Sequence, residues 1–395
     1  MRPPCGPQQA SEPTRPMIPV DLSPPEMQRY ARHLAIPEFG IEAQKKLRAA
    51  SVLCIGAGGL GSPISMYLAA AGVGTLGLVD PDVVEISNLQ RQILFGENDL
   101  GRSKLDAASE RLRSINPHVR LNLHPERFTA ANALIIASGY DIIIDGTDNF
   151  PTRYLSNDVC VWLKKPNVYG SILRFEGQAA VFAPHLNAPC YRCMAPQPPA
   201  PGLVPSCAEG GVLGVLPGLV GTLQALECIK LITGIGQPLL GRLLHVDTLG
   251  MRFRTFNLRR DPACPVCGDN PSITQPIDYE GFCGIRPLPP MKEISVQDLH
   301  RLRQQGDKHY LLDVREPDEH ATASIRGAVL IPLAQVATRT AELPRDIPLY
   351  VHCKLGGRSA KAVAALQELG FTNAVNVAGG IRAWSEQIDP SVPVY

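Results

Sequence analysis

The sequence predicts an α/β protein with two domains, the larger of which has a mainly parallel sheet. Short apolar runs, at residues 51–55, 75–79 and 141–144, alternate with longer helix-forming stretches. A glycine-rich turn follows the first of these runs, and another follows an apolar run at residues 349–352. This alternation is typical of βαβ units, in which helices connect neighbouring parallel strands.

We expect these elements to follow one another along the larger domain in a regular order. Expected helices are at 21–50, 61–71, 103–114, 151–163 and 210–233. Expected strands are at 51–55, 75–79, 119–123, 141–144, 167–175, 177–182, 242–247 and 252–258. The pair 167–175 and 177–182 is expected to meet at a Glu-Gly turn. In the smaller domain we expect strands at 310–313 and 349–352 and a helix at 359–369.

Composition divides the chain of 395 residues into four parts. Residues 1–20 are proline-rich and lack an apolar run, so we expect a disordered leader rather than a signal peptide. Residues 21–268 form the larger domain. Residues 269–290, dense in proline and glycine, are expected to be a linker, and residues 291–395 the smaller domain.

Charge and hydropathy argue against several classes of partner. The formal net charge is +1 and we find no basic cluster, which argues against nucleic acid. We find no uninterrupted run of about 18 apolar residues, so we expect no membrane span. The 11 cysteines are an odd number, and two Cys-x-x-Cys pairs fit a metal better than disulfides. We therefore expect a reducing, cytoplasmic location.

The glycine-rich turn after the first strand indicates nucleotide binding in a Rossmann-like domain. Its glycines, which allow a tight turn and close approach of a phosphate to the backbone, are Gly56, Gly58, Gly59 and Gly61. Asp80, at the end of the second strand, is placed to bind ribose hydroxyls. These features alone fit NAD or FAD as well as ATP.

The polar segment that follows favours ATP. It carries amides, a hydroxyl and a guanidinium, and a lysine follows at the next helix start: Ser87, Asn88, Gln90, Arg91 and Lys104. Cations there would neutralise charge as a carboxylate attacks an α-phosphate. Asp148 and Asn149 follow another strand, and an acid at that edge suits a Mg²⁺–phosphate clamp. Alternatively, the segment is a solvated loop and Asp148 a helix cap.

Five motifs together resemble the MoeB/ThiF family, relatives of ubiquitin-activating enzymes. They are Arg-Tyr-Ala-Arg-His at 29–33, Gly-Ala-Gly-Gly-Leu-Gly at 56–61, Ser-Asn-Leu-Gln-Arg-Gln at 87–92, Gly-Arg-Ser-Lys at 101–104 and Asp-Gly-Thr-Asp-Asn at 145–149. The resemblance covers about residues 21–268. It implies ATP and magnesium positions at Gly59, Asp80, Asn88, Arg91, Lys104 and Asp148.

The same resemblance implies partners. Arg32 matches an arginine that the family inserts into the site of a dimer partner, which implies a homodimer with each site completed in trans. The family's substrate is a ubiquitin-like sulfur carrier that ends in Gly-Gly, whose terminal carboxylate becomes an acyl-adenylate.

Two Cys-x-x-Cys pairs of matching spacing predict a structural zinc site. The four candidate ligands are Cys190, Cys193, Cys264 and Cys267. Four thiolates can close a tetrahedral zinc–sulfur site. A redox role for one pair is the alternative, and the second pair makes it less favoured.

Cys207 stands just before the apolar helix, among flanking glycines. A helix start lowers the pKa of a thiol, and glycines leave it accessible; a buried structural cysteine is the alternative. Family resemblance implies a mobile-loop cysteine that bonds to the activated carrier or resolves an acyl-disulfide.

The turn near residue 350 predicts sulfur chemistry. Cys353 heads a six-residue loop closed by Arg358, whose inward amides would hold an anion such as a persulfide sulfur. Protein phosphatases use a loop one residue longer. With Leu-Asp-Val-Arg-Glu at 312–316 and Val-Ala-Gly-Gly-Ile-Arg-Ala-Trp at 377–384, this half resembles rhodanese domains. A catalytically dead interaction module is the alternative.

Together these features predict an adenylyltransferase and sulfurtransferase that turns a carrier carboxylate into a thiocarboxylate, using ATP, Mg²⁺ and Zn²⁺. Cys353 would first take sulfur from an outside donor such as a cysteine desulfurase or thiosulfate, then attack the adenylate. One alternative is a ubiquitin-type enzyme that passes its carrier to a conjugating partner. Another is an NAD-dependent oxidoreductase with a rhodanese appendage.

Overall fold

The computed structural model describes residues 21–199, 210–284 and 291–394, and these contain an eight-stranded and a five-stranded sheet. The chain divides near residue 285 into two compact units, each built on one sheet. Part of the expected linker belongs to the first unit, because the short helix Tyr279–Phe282 packs against helix Phe150–Trp162.

The first sheet has the strand order β3-β2-β1-β4-β5-β6-β7-β8. The strands are β1 (Ser51–Ile55), β2 (Thr75–Val79), β3 (Arg120–His124), β4 (Ile142–Asp145), β5 (Asn167–Leu173), β6 (Glu176–Phe182), β7 (Arg242–Asp247) and β8 (Arg252–Asn257). Neighbours from β3 to β5 are parallel and those from β5 to β8 antiparallel. β1 lies between β2 and β4, so the strand order reverses at its carboxyl end, where α/β proteins bind ligands.

Helices cover both faces of this sheet, and the alternation of side chains along β1 shows why. Val52 and Cys54 enter one apolar core, and Leu53 and Ile55 enter the other. The helices of the unit are Pro24–Arg29, Ala31–Leu34, Gly40–Ala49, Gly61–Ala71, Lys104–Ile115, Ala133–Ser138, Phe150–Trp162, Tyr191–Met194, Val215–Thr233 and Tyr279–Phe282.

Helix Val215–Thr233 is long and apolar enough to cross a membrane by length and composition, but it packs as a core helix. Leu216, Val220 and Cys228 lie in the core on one face of the sheet. The Gln224 side-chain amide donates to the carbonyl oxygens of Asp145 and Val168 at 2.8 and 3.1 Å.

The turn between β5 and β6 differs from the expected one. Leu173 pairs with Glu176, so the turn is Arg174–Phe175, with Arg174 at a φ of 52°. Gly177 lies inside β6, where an added Cβ would come within 2.4 Å of Val220 Cγ2. This glycine therefore serves close packing of the helix on the sheet and not the turn.

The second unit has a parallel sheet of order β11-β10-β12-β13-β9. Its strands are β9 (Glu293–Ile294), β10 (Tyr310–Asp313), β11 (Val329–Leu330), β12 (Leu349–His352) and β13 (Ala374–Val377). Its helices are Val296–Gln305, Pro317–Thr322, Leu333–Val336, Gly357–Glu368 and Gly380–Gln387. The buried central strand β12 ends immediately before Cys353. The α/β class with a mainly parallel sheet and a smaller α/β unit is confirmed.

Candidate functional site

The glycine loop after β1 is a turn that side chains would block. Gly56 has a φ of +93°, and a Cβ there would lie 3.0 Å from Gly146 O. A Cβ on Gly61 would lie 2.0 Å from Gly56 O. By contrast, a Cβ on Gly58 would meet nothing closer than Gln92 Nε2 at 3.8 Å. The loop is thus tight at its ends and open at Gly58, as a phosphate would require.

Asp80 and Lys104 come together beside this loop. Asp80 Oδ2 accepts a hydrogen bond from Ala57 N–H at 2.8 Å, and only 7% of the residue is exposed. Lys104 Nζ lies 3.8 Å from Asp80 Oδ1 and donates to Asp82 Oδ2 at 3.0 Å. The carboxylate at the end of β2 therefore fixes the glycine loop and holds a buried ammonium near it.

The polar segment lies against the same loop. Arg91 Nη1 donates to Ser87 O at 2.9 Å, and its Cγ would be 3.6 Å from a Cβ on Gly59. Asn88 is buried, and its Oδ1 accepts from Glu85 N–H at 3.1 Å. The segment is therefore a turn against the glycine loop, and the solvated-loop alternative is wrong for Asn88, which is buried, whereas Arg91 is partly exposed.

The remaining residues of this segment differ in their surroundings. Ser87 and Gln90 are exposed, and a Cβ on Gly214 would lie 2.2 Å from Gln90 O. Gln92, which the sequence analysis did not single out, is buried, and its Oε1 has no hydrogen-bond partner in the structure. A buried unpartnered acceptor is rare and indicates a missing donor.

The two acids of Asp-Gly-Thr-Asp-Asn have different surroundings. Asp145 is fully buried and accepts from Thr147 N–H at 3.0 Å and Thr147 Oγ1–H at 2.6 Å. Burial raises the pKa of Asp145, against the opposing effect of Arg153. Asp148 is exposed at the carboxyl edge of the sheet. The helix cap is Asn149, whose Oδ1 accepts from Thr152 N–H at 3.0 Å, so the cap alternative is wrong for Asp148.

Two further predicted residues remain, Arg32 and Cys207. Arg32 is exposed on helix Ala31–Leu34. Cys207 lies outside the described residues.

The four predicted zinc ligands lie together. The sulfurs of Cys190, Cys193, Cys264 and Cys267 are all within 4.8 Å of one another. A tetrahedron with zinc–sulfur bonds of about 2.3 Å separates its sulfurs by about 3.8 Å, and the Cys190–Cys264 and Cys193–Cys267 distances are 3.5 and 3.3 Å. Asp261 N–H also donates to Cys193 Sγ at 3.4 Å. The donor set and its size fit zinc.

Helix Tyr191–Met194, beside the cysteine cluster, carries a buried ion pair that sequence reasoning missed. Arg192 donates to both carboxylate oxygens of Asp158 at 2.8 Å, and both side chains are 0% exposed. The guanidinium carbon lies 4.8 Å from the Tyr154 ring centroid and 4.6 Å from that of Phe282. Tyr279 OH donates to Asp158 Oδ2 at 3.0 Å. The pair thus joins the cysteine cluster to helices Phe150–Trp162 and Tyr279–Phe282.

In the second unit, the Cys353 loop directs hydrogen-bond donors at sulfur. Gly356 N–H and Ser359 Oγ–H contact Cys353 Sγ at 3.1 and 3.4 Å. Gly356 has a φ of +99° and caps helix Gly357–Glu368. Cys353 is 2% exposed and is the sole cysteine after residue 283. The loop can therefore stabilise negative charge on this sulfur, as an active loop requires.

Arg358, which closes the loop, is held by a residue that the sequence analysis did not single out. Its Nη1 and Nη2 donate to Glu319 Oε2 and Oε1 at 2.6 and 2.7 Å. Below the loop, Arg315 Nε donates to Asp313 Oδ1 at 2.9 Å, and both side chains are fully buried. Asp313 belongs to the motif at 312–316, and Glu319 follows that motif by three residues. The motif is therefore the sequence signal that could have identified both residues.

Fold and sites define a nucleotide-binding α/β unit with a four-cysteine cluster, joined to a unit with a rhodanese-type cysteine loop. The chain belongs to the ThiF family, which matches residues 30–266. Residues 295–387 match the rhodanese-like domain.

Relatives align over nearly the whole chain. A "Probable adenylyltransferase/sulfurtransferase MoeZ" of Mycobacterium tuberculosis (strain ATCC 25618 / H37Rv) is 49% identical over 384 residues, 95% of this chain and 96% of the relative. The "Adenylyltransferase and sulfurtransferase MOCS3" of Mus musculus is 44% identical over 417 residues, 97% of this chain and 90% of the relative.

Solved structures resemble more than half of this chain in fold. The crystal structure of E. coli MccB with MccA-N7isoASN covers 62% of this chain and 75% of that chain, with a TM-score of 0.56 and 24% identity. A structure of E. coli MccB with ATP gives a TM-score of 0.53 at 24% identity, over 61% of this chain and 74% of that chain.

Proposed function

We propose that this chain uses ATP to adenylate the C-terminal glycine of a ubiquitin-like sulfur carrier and then replaces the adenylate by sulfur held on Cys353. One observation carries the proposal: a loop that directs two hydrogen bonds at a cysteine sulfur shares a chain with a ThiF-type glycine loop. The names of its relatives, adenylyltransferase and sulfurtransferase, support both halves.

In the first step the carrier carboxylate attacks the α-phosphate of ATP, and pyrophosphate leaves. The open backbone at Gly58 would admit the phosphates, while Arg91 and Lys104 would stabilise the charge that develops. Asp148 would hold Mg²⁺, which supplies charge neutralisation on the polyphosphate. The adenylate matters because AMP is a far better leaving group than oxide.

In the second step the terminal sulfur of a Cys353 persulfide attacks the acyl carbon, and AMP leaves. The product is an acyl disulfide that joins the carrier to Cys353. A thiol, for which Cys207 is our candidate, then attacks Cys353 Sγ, breaks the S–S bond and releases the carrier thiocarboxylate. The resulting Cys353 disulfide requires an outside reductant before the next turnover.

The remaining assignments belong to the same proposal. The four-cysteine cluster would hold Zn²⁺ as a structural ion, with Cys190, Cys193, Cys264 and Cys267 as ligands. We propose a homodimer in which Arg32 reaches the partner's nucleotide site, and a cytoplasmic enzyme that needs neither nucleic acid nor membrane.

The proposal is tested by incubating the purified protein with candidate Gly-Gly-terminated carriers, ATP, Mg²⁺ and a sulfur donor. We expect carrier-dependent ATP–pyrophosphate exchange and a carrier in which one oxygen is replaced by sulfur, seen by mass spectrometry. Exchange without sulfur incorporation, with the carrier passed to a second protein, would favour the ubiquitin-type alternative. Nicotinamide binding without exchange would favour the oxidoreductase.

For the dimer, Arg32→Ala and Lys104→Ala variants are each expected to lose pyrophosphate exchange. Mixing them after subunit exchange should restore activity, because one site of the mixed dimer then has its own Lys104 and the partner's Arg32. If mass spectrometry shows that the mixed dimer has formed but pyrophosphate exchange does not recover, the sites are not completed in trans.

A further inference from the structure

The Glu319–Arg358 ion pair lies at the edge of the sulfur-carrying loop. Arg358 occupies the first turn of helix Gly357–Glu368, and Glu319 lies on helix Pro317–Thr322. Both guanidinium Nη atoms are engaged by the two carboxylate oxygens, and the side chains are only 12% and 17% exposed. Bidentate, partly buried pairs of this kind are the strong ones.

Glu319 is a fixed group because two other hydrogen bonds hold it. Its Oε2 accepts from Glu316 N–H at 3.1 Å, and its backbone oxygen accepts from Arg315 Nη1 at 3.2 Å. Arg315 is in turn bound to the buried Asp313. Although burial raises the pKa of Glu319, the hydrogen bonds from Arg358 and Glu316 lower it below its ordinary value, so the carboxylate is ionised at neutral pH.

Glu319 reduces the positive charge that the loop offers to a sulfur donor. It pairs with Arg358 and favours the charged form of the half-buried Lys354, whose pKa burial and the nearby arginines lower. Arg382 is paired with Glu386 at 2.9 Å. The groups that contact Cys353 Sγ, Gly356 N–H and Ser359 Oγ–H, are neutral. Glu319 therefore weakens the attraction of the site to a compact dianion more than its attraction to a single negative charge on sulfur.

Resting on the proposed function of Cys353, we propose that Glu319 sets the donor selectivity of the loop: by neutralising Arg358 it favours monoanionic persulfides over dianionic donors such as thiosulfate. With a persulfide, the Cys353 thiolate attacks the outer sulfur, a new S–S bond forms, and the donor thiolate leaves with the electrons of the old bond. With thiosulfate the same attack expels sulfite, so both transfers are balanced without an added oxidant.

The test compares thiosulfate with cysteine persulfide as donors to the full-length protein, following the mass gain of one sulfur on Cys353. Glu319→Gln keeps an acceptor for Glu316 N–H but removes the charge. We expect its kcat/KM for thiosulfate to rise about tenfold, because repulsion of the dianion is relieved, and that for cysteine persulfide to change less than about twofold. The thiosulfate rate should also become more sensitive to salt.

Asp318→Asn is the matched control, since it removes an exposed charge from the same helix. It should leave kcat/KM unchanged for both donors. If Glu319→Gln proves unfolded by circular dichroism, Glu319→Asp replaces it: the shorter carboxylate cannot reach both Nη atoms, and a smaller gain with thiosulfate is expected. In the double variant that combines Glu319→Gln with Arg358→Gln, the gain in kcat/KM for thiosulfate should disappear.

An unchanged or lower kcat/KM for thiosulfate in folded Glu319→Gln would overturn the selectivity proposal alone, provided that the wild type accepts sulfur. A wild type whose Cys353 accepts sulfur from neither donor would instead overturn the proposed function together with it.

Discussion

The Asp80 carboxylate accepts a hydrogen bond from Ala57 N–H at 2.8 Å, so the end of β2 fixes the glycine loop that follows β1. Lys104 is held against the same carboxylate, and Arg91 lies beside Gly59. The nucleotide site is thus assembled from segments that follow different strands but meet at one sheet edge. Each of these side chains can be replaced without changing a residue in the core of the second unit.

Replacing Asp148 by Ala is expected to abolish carrier-dependent pyrophosphate exchange, because the exposed acid at this edge is our magnesium ligand. Sulfur transfer from thiosulfate to cyanide should persist, since Cys353 lies in the other unit. Glu280→Ala, which removes an exposed carboxylate from the same unit, is the control for charge. Wild-type exchange rates in the Asp148 variant would defeat the assignment.

Purified protein should contain about one zinc per chain, bound by four thiolates. Cys264→Ser is expected to lower the zinc content, measured by elemental mass spectrometry, and to lower Tm. Its effect on adenylation and on sulfur transfer should be smaller. Cys283→Ser is the control: this cysteine is buried outside the cluster, and burial raises the pKa of its thiol to about 11. Metal-free protein of normal Tm would show another role for the cluster.

Cys353→Ala should still form the acyl-adenylate, because Asp80, Arg91 and Lys104 lie in the first unit. It should fail to make thiocarboxylate and lose sulfur transfer from thiosulfate to cyanide. The carrier's mass decides the matter, since replacing oxygen by sulfur adds about 16 Da. If the carrier gains this mass at the wild-type rate, Cys207 becomes the leading candidate for the residue that carries the sulfur. The rhodanese unit would then serve only for docking.

The stability of the second unit should fall as the pH is lowered from about 6.5. His352 is fully buried, neither ring nitrogen has a hydrogen-bond partner, and burial lowers its pKa from 6.5 to about 4. The unfolded chain therefore binds a proton that the native state excludes, and stability is lost between these pH values, by about 3 kcal/mol at most.

This pH effect can be measured by urea unfolding followed by Trp384 fluorescence in a Trp162→Phe background of the full chain. His352→Gln should flatten the slope between pH 6.5 and 4.5, whereas the less buried His309→Gln should keep it. The pH range stops at 4.5 because Glu319 and Asp313, whose pKa values are lowered, lose their contribution to stability at lower pH. An equal slope in both variants would exclude His352 as the cause.

Local signals sufficed for much of the fold. Strands β1 and β2 have the predicted bounds because buried parallel strands are short apolar runs ended by glycine or acid. The cysteine cluster was predicted from spacing because zinc restricts ligand chemistry so strongly. Cys353 was found because its loop is contiguous in sequence, so residue spacing alone determines which amides face the sulfur.

Other features depend on contacts between distant segments, which residue spacing does not encode. The Arg192–Asp158 pair joins residues 34 apart, and Arg358 meets Glu319 across 39. The Arg174–Phe175 turn was missed because Gly177 was needed for packing against Val220. Likewise, the proline and glycine content of residues 269–290 predicted a linker and hid the anchor that Tyr279 makes to Asp158.

A solitary cysteine in the second unit has a consequence for electron balance. The acyl disulfide on Cys353 cannot be cleaved by a second thiol of the same unit, because residues 291–395 contain no other cysteine. This unit can store one sulfane sulfur but cannot supply the two electrons that free the product. Each catalytic cycle therefore couples to a thiol pool outside the unit, so its rate should follow the redox state of that pool.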